Sequence, residues 1–583
     1  MDPIEDIEDA LSIDYPTSPG LKVEDCRRLT GPGLLWDHPG AVVQVASDME
    51  ADKITAAWHK HARLVLDAVG WGDQHLNARG FEGGINLALS APMDQLYSAV
   101  FVAETAWYFC ASDLLGCQSG DFAAMIADLT AVMAREANPP LIALLTEGAR
   151  RGTEVLCDDD ELSVGHGVGS QTWAVGALPT PGNVDWDRLH NVPVALITGT
   201  NGKTTTTRLL AAIGKAAGKV SGLTSTDFVR VGDDVLDRGD YSGPGGARLL
   251  LRDQRLEVAC LEVARGGILR RGLPTRAARA AIVTNVAADH LGQYGVNTVP
   301  ELARAKFAVH RALAPGGALI LNADDPYVVA EAAQTEARIC WFSLDPGNAQ
   351  IATARAAHQP CAWAGKGKIL YFDGSDTTAV IAIADIPITL GGAAQYNVSN
   401  ALAATCGARA LGLNDAAIRK GLSGFHNDPT DNPGRFNEFA VNGARVFVDF
   451  AHNPHSVAAV ADALSAIPAK RRMILLSHAG DRSDDDIRDV TQTALSLGPD
   501  VLVACELLDY LRGRELGDVP DLIRETCRAN GMRPDQILSA DSPLAGVRRI
   551  LALLQPGDVA LLLVLAERDA VFDLLAQQSD PIT

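Results

Sequence analysis

ALITGTNGKTTTTRLLAAIG, residues 195 to 214, is the stretch on which the fold turns. Ala195, Leu196 and Ile197 form an apolar run that meets a tight polar turn, and the residues from Thr204 to Gly214 then repeat at helical spacing. The segment reads strand, loop, helix. Its loop, Gly199-Thr200-Asn201-Gly202-Lys203-Thr204-Thr205, has the parts of a phosphate cradle. Glycines let backbone N–H groups approach phosphate oxygens, Lys203 supplies positive charge, and the Thr204 hydroxyl is a ligand for Mg²⁺. The helix that follows turns its positive end toward the anion. The position five before Gly202 is Ile197, so the strict G-x-x-x-x-G-K form is not kept. A dinucleotide oxidoreductase is disfavoured, because G-x-G-x-x-G is lacking and a phosphate-binding lysine is present.

Outward from this loop the chain alternates. LEVACLEVA, AAIVTNVA and ALILNADDP read as strands and ELARAKFAVHRALAPGG as a helix, which predicts a central P-loop ATPase domain with a parallel sheet over residues 193–432. ARVFVDFAHNP, RRMILLSHAGD, VLVACELL and DVALLLVLAERD predict a second, Rossmann-like α/β domain over 433–583. Upstream, AVVQVAS reads as a strand and ITAAWHKHARLVLDAVGW as a helix with Trp58, Leu64, Leu66 and Val69 on or near one face. A Gly-rich break at ARGFEGGIN precedes helical regions from about Ala91 to Ser112 and from Asp121 to Glu136. The expectation is a small α/β domain at 26–173, an acidic flexible arm at 1–25 and a linker at 174–192. His59 and His61, two apart on a helix, face different sides and read as a surface pair.

Composition bounds the function. The 583 residues exceed one core, and their formal charge of −22 opposes binding to a nucleic-acid backbone or an anionic membrane. The ten cysteines show no Cys-x-x-Cys pair and read as buried free thiols. The acidic start lacks a signal-peptide pattern, and VALLLVLA (559–566) is far too short for a membrane span. The expected location is cytoplasmic.

TGTNGKTT resembles the form found in the Mur ligase superfamily, ATP-dependent enzymes that join a carboxylate to an amine. Other stations of the family follow in order. Glu262 in CLEVARGGILRRGL resembles its Mg²⁺-binding glutamate. TNVAADHLGQYG (284–295) resembles the segment whose histidine, here His290, helps hold a second magnesium. Lys306 in ARAKFAV stands where several members carry a carbamylated lysine, and NADDP (322–326) follows it. QYNVSNALAA (395–404) is similar to the family's adenine-side segment and keeps Asn397 and Asn400, with Tyr396 where histidine is usual. PGRFNEF carries Arg435 and VFVDFAHNPHS carries Asp449 and His452, similar to the family's interdomain arginine and ribose-side aspartate. EVARGGILRRGL, GDYSGPGGAR (239–248), RRLTGPGLLW (27–36) and the 83–107 segment are similar to the cyanophycin synthetase branch. That branch carries an ATP-grasp module between its N-terminal domain and its ligase half, whereas here SVGHGVGSQTW (163–173) runs into the ligase within about 25 residues.

The resemblance implies an ADP-producing amide ligase that uses ATP and Mg²⁺. A carboxylate attacks the γ-phosphate, and the acyl phosphate is then taken by an amino acid. Lys203, Glu262, His290 and Lys306 would be catalytic. Metal would be held by Thr204, Glu262, His290 and Lys306, and nucleotide by the loop with Asn397, Arg435 and Asp449. Asp289 either orients His290 or is a turn residue, and Lys306 is either a carbamate or a helical surface lysine. Arg435 and Asp449 would reach the nucleotide only when the C-terminal domain swings in. Asp484 to Asp486 either recognise a cationic amino acid such as arginine or fill a helix N-terminus. Arg27, Arg28 and the Lys60 to Arg63 surface are candidates for holding an acidic chain. The expected partners are an amino acid, an acidic peptide or other carboxylate, and a second copy of the chain or a related synthetase. The competing reading is a non-catalytic nucleotide-binding regulator of a full-length synthetase.

Overall fold

The computed structural model describes residues 13–579. Four antiparallel strands, β1 (Leu21–Leu29), β2 (Gly40–Ser47), β3 (Leu76–Phe81) and β4 (Gly84–Ser90), form a sheet of order β1-β2-β4-β3. The helices Ala51–Ala68 and Leu96–Leu115 pack over it. Trp58 and Leu66 are buried there as expected, but Leu64 is 52% exposed and belongs to the outer face.

The expected N-terminal arm needs correction. Residues 1–12 lie outside the described residues, but Leu21 to Asp25 are strand, with Leu21 paired to Ser47 and only 1% exposed. A register shift between Val23 and Asp25 breaks the alternation that would have marked the strand. The Gly-rich break is also a different object. It is the β3–β4 hairpin, closed by Glu82 and Gly83, with Gly83 at φ +84°, a conformation glycine adopts without strain.

The residues expected to link domains are packed. β5 (Val155–Cys157), β6 (Glu161–Val164) and β7 (Gln171–Ala174) form a small sheet. Val184, Trp186 and Leu189 from the short 3₁₀ turns after it are buried against Leu141, Leu144 and Leu162. Among the described residues, only such turns lie between β7 and the first strand of the central sheet.

That sheet holds β8 (Val194–Thr198), β9 (Ser221–Thr224), β10 (Phe228–Val231), β11 (Asp234–Arg238), β12 (Val258–Glu262), β13 (Ala278–Val283), β14 (Leu313–Asn322), β15 (Ile339–Ser343), β16 (Cys361–Gly365), β17 (Lys368–Phe372) and β18 (Thr377–Ala382). Its order is β11-β10-β9-β12-β8-β13-β14-β15-β16-β17-β18. From β9 to β16 the pairs are parallel, and antiparallel strands close both edges. β8 and β12 are buried throughout, which explains why they read as unbroken apolar runs rather than alternating ones. The chain steps from β12 across β8 to β13, so the carboxyl ends of these strands open a crevice, the usual place for a ligand in such sheets.

The C-terminal sheet, β19 (Asn437–Val441), β20 (Ala444–Asp449), β21 (Arg472–Leu476), β22 (Val501–Cys505), β23 (Ile537–Ala540) and β24 (Val559–Leu563), has order β19-β20-β24-β21-β22-β23 and is parallel except at β19. The N-terminal unit is seamed to the central one through backbone. Thr30 N–H donates to Arg271 O at 2.7 Å and Leu273 N–H to Pro32 O at 2.6 Å. A Cβ at Gly31 would run into the Leu273 carbonyl oxygen, and one at Gly272 into that of Gly31. Arg79 donates to Gly295 O at 2.9 Å and pairs with Glu301 at 3.0 Å. Among the described residues, no helix is long and apolar enough to cross a membrane.

Candidate active site

The loop after β8 leads into the helix Lys203–Ala216 with Gly202 at φ +83° as its first cap. A Cβ on Gly202 would strike Asn400 Oδ1, so glycine is required both by φ and by this close approach. Lys203 Nζ donates to Gly199 O at 3.0 Å and Thr200 O at 2.9 Å. Asn285, just past β13, holds the other side of the loop: its Oδ1 accepts from Asn201 N–H at 2.9 Å and its carbonyl from Thr200 N–H at 2.8 Å.

Glu262 ends β12 beside this loop. It is 2% exposed, its Oε1 accepts from the Thr204 hydroxyl at 3.1 Å, and its Oε2 has no partner. Burial pushes its carboxyl above the ordinary range, against the opposing pull of Lys203 and Arg435. A buried carboxylate oxygen without a donor is costly, and with an adjacent hydroxyl it is the hard-oxygen donor set that a magnesium ion takes.

Lys306 corrects one expectation. It is 4% exposed, and its Nζ donates to Gly199 O at 2.8 Å, so the surface-lysine reading fails. Burial, then the like charge of Lys203, holds its ammonium well below the ordinary lysine range, which favours the neutral amine.

The remaining wall comes from the C-terminal sheet, which is already docked. Asn201 Nδ2 donates to Asn453 Oδ1 at 3.2 Å and contacts His455 Nδ1 at 2.9 Å, and Asn453 Nδ2 donates back at 3.1 Å. No further swing is needed to bring Asp449 and Arg435 to the cavity. Asp449, at the end of β20, accepts from Phe436 N–H at 2.8 Å and Ala451 N–H at 2.7 Å, yet burial pushes its carboxyl up to about 6. Arg435 lies over the Phe450 ring at 5.0 Å. Together with Tyr396, Asn397, Asn400 and His452, these groups and the phosphate loop enclose about 750 Å³. Asn397 spends its amide on Ile388 O at 2.8 Å and accepts from Asn400 Nδ2 at 3.1 Å. Tyr396 has a buried hydroxyl with no partner.

His290, at φ 50°, stands at one margin. A carboxylate oxygen of Asp289 and ring nitrogens of His290 and His452 lie within 4.8 Å of one another. Burial brings the His290 imidazole down to about 4, partly opposed by Asp289, so it is neutral and accepts from Arg482 Nη2 at 2.8 Å. Arg482, in the run SHAGDRSDDDI (477–487) that resembles a Gly-Asp-Arg segment of the family, meets His290 across 192 residues, and His478 of the same run lies 3.0 Å from the His452 carbonyl through its Nε2; sequence spacing marks neither contact.

Other candidates are spent elsewhere. Ser483 and Asp486 form a capping box, and Asp484 and Asp485 pair with Arg488, Asp484 also with Arg514. Those acids therefore fill a helix N-terminus. Arg27 is 8% exposed and bonded to Asp25 and Leu269 O, Arg28 stacks on Tyr97 at 3.5 Å, Lys60 pairs with Asp113, and Arg63 donates to Gly72 O and Gln74 O. Lys60 and Arg63 are thus engaged within their own unit, whereas Arg27 and Arg28 line, with Arg270 and Arg271, a separate cavity of about 560 Å³.

Residues 197–408 match the Mur ligase middle domain, and residues 434–563 match the Mur ligase, glutamate ligase domain. These residues belong to the Mur ligase family. Among the relatives of this chain, a cyanophycin synthetase from Synechocystis sp. is 39% identical over 332 residues, 57% of this chain and 38% of the relative. The chain thus spans well under half the length of the cyanophycin synthetases it matches. A UDP-N-acetylmuramoyl-L-alanyl-D-glutamate–2,6-diaminopimelate ligase from Chlorobium phaeobacteroides is 28% identical over 391 residues, 64% of this chain and 71% of the relative. A solved bifunctional folylpolyglutamate synthase/dihydrofolate synthase aligns over 66% of this chain and 89% of its own at 19% identity and a TM-score of 0.49.

Proposed function

We propose that this chain is an ATP-dependent, Mg²⁺-requiring amide ligase that activates a carboxylate as an acyl phosphate and joins it to an amino acid. The observation that carries the reading is the 750 Å³ cavity walled on one side by the phosphate loop and Glu262 and on the other by Arg435 and Asp449. The glycine-rich loop would hold the phosphates through backbone N–H groups. Lys203, whose two present acceptors are loop carbonyls, would turn to the phosphate oxygens. Thr204 and the unpartnered Glu262 oxygen would hold Mg²⁺, with His290 the candidate ligand for a second ion. Bound there, magnesium supplies neutralisation of the phosphate charge that repels an incoming carboxylate.

Lys306 is assigned as a carbamate. Its buried, neutral amine is the form that adds CO₂ with release of a proton, and the resulting anion suits a magnesium site better than an ammonium does. Asp449 faces the sugar hydroxyls as acceptor, with Asn397, Asn400 and Tyr396 on the base side. The docked C-terminal sheet keeps water from a hydrolysable intermediate.

The substrates follow the cyanophycin synthetase branch: arginine or a related amino acid as amine, and an acidic peptide as carboxylate. With one phosphate loop and no further unit between Trp173 and Gly199, the chain performs one type of amide-forming step. The test is phosphate release from ATP and Mg²⁺ across amino acids paired with acidic peptides, with product masses measured. Dehydrative joining of one amino acid supports the reading. ATP turnover without a joined product rejects the ligase, and alternating growth on aspartate, arginine and a primer rejects the single step.

A further inference from the structure

A carboxylate held between two arginines ties the C-terminal domain to the helix of the phosphate loop. Asp227 follows β9, next to the cavity-lining Thr226. Its Oδ2 accepts from Arg208 Nη2 at 2.5 Å and its Oδ1 from Arg568 Nη1 at 2.7 Å. Arg208 stands five residues after Lys203 on the same helix and its side chain is 0% exposed. Arg568 opens the C-terminal helix Arg568–Gln578 and is 25% exposed. The segment joining the domains runs through this cluster. Asn432, 1% exposed, offers Oδ1 to Arg208 Nη1 at 3.5 Å and donates to the Thr205 hydroxyl at 3.4 Å. At Gly434, φ +70°, a Cβ would come within 3.0 Å of Arg568 Cδ.

The asymmetry of the two arginines decides what this cluster does. Arg208 and Asp227 both belong to the central unit, so the fully buried guanidinium keeps its partner in every arrangement of the domains. Leaving it alone would be strongly destabilising. Arg568 is the second partner, part-exposed and carried by the C-terminal domain. When that domain moves away, Arg568 passes to water and Asp227 stays paired, so no buried charge is stranded and the contact is reversible. Burial raises the Asp227 carboxyl, but Arg208, Arg435 and Arg568 outweigh it and keep it ionised.

We propose that Asp227 and Arg568 form an interdomain latch of positioning residues, which holds the C-terminal domain in the register where Asp449 and Arg435 face the phosphate loop. Its effect on turnover rests on the ligase reading, whereas its effect on domain position does not.

The test uses the full chain with Arg568→Ala and Arg568→Lys, since Asp227→Asn would strand Arg208 and unfold the protein. Small-angle X-ray scattering of nucleotide-free protein reads domain position, and steady-state kinetics read KM for ATP against kcat. Arg568→Ala is expected to widen the interdomain distance distribution. A tenfold loss of closed population would raise KM for ATP about tenfold, with kcat within about twofold. Arg568→Lys should restore much of both. Added salt should raise KM more steeply in the wild type than in Arg568→Ala, because the part-exposed pair is screened in addition to the nucleotide contacts common to both; equal slopes count against the latch. Unchanged scattering in Arg568→Ala overturns the latch even if activity falls. A scattering change in a chain that ligates nothing upholds the latch and rejects the ligase instead.

Discussion

Asp449→Asn separates the electrostatic cost of the ribose-side carboxylate from its hydrogen bonds. Moving this carboxyl from 3.8 to about 6 penalises its charged form by about 3 kcal/mol, at ~1.4 kcal/mol per tenfold. Between those values the folded chain keeps a proton that the unfolded chain has released. Stability therefore falls as pH rises from about 4 to 6 and is flat above that. Asparagine does not titrate, but it has one acceptor oxygen where aspartate has two. Either Phe436 N–H or Ala451 N–H, bonded at 2.8 and 2.7 Å, loses its partner, at about 1–3 kcal/mol at every pH. That loss cancels when pH values are compared. The variant should therefore gain on the wild type by about 2.4 kcal/mol, or ~60-fold in protection, between pH 4 and pH 7. Tryptophan fluorescence is blind to it, because no tryptophan follows Trp363. Hydrogen exchange of the slowest β20 and β24 amides, corrected for intrinsic rate, reads it directly. Protection ratios that stay constant across this pH range would refute the burial argument.

Lys203→Ala should lower ATP turnover by about 10²–10³-fold while the thermal midpoint stays close to wild type, since Gly199 O keeps its bond from Lys306; near-normal turnover removes the loop from the chemistry. ¹³C-bicarbonate should label one lysine of the wild type by NMR and none of Lys306→Ala, and an unlabelled wild type rejects the carbamate. Gly202→Ala places a Cβ at φ +83° against Asn400, with strain of about 1–3 kcal/mol; a lowered unfolding midpoint and weakened ATP binding are expected, and an unchanged midpoint contradicts the stated packing.

The sequence discloses what is local. The runs around Ala195, Cys260 and Ile282 lie in buried parallel strands, where nearly every residue is apolar and the pattern stands out. Glu262 ends a strand and Lys203 and Thr204 stand one short loop past another, so short motifs mark them. β1 was hidden because Glu24 and Asp25 sit beside its register shift, and the β3–β4 hairpin because its glycines looked like a break. The meander of β16, β17 and β18 gives no comparable signal, because its strands mix polar and apolar residues and carry no motif. Trp186 looked like linker because the residues it packs on lie elsewhere in the chain. The pairings of Arg482 with His290, Asn201 with Asn453 and Asp227 with Arg568 join segments hundreds of residues apart. Spacing along the chain carries no trace of them, and only the docking of two sheets brings them together.

The seam at Gly31, Gly272 and Leu273 gives the molecule one joint instead of two. Backbone bonds and side-chain pairs together pin the N-terminal unit to the central sheet as one anvil, and the chain leaves that body for the C-terminal sheet near Asn432. Arg79 grips Gly295 and Glu301 from the anvil side, directly behind the segment that carries His290. Anything that displaces the N-terminal unit must therefore also displace Gly295 and Glu301, which lie shortly after His290 in the chain.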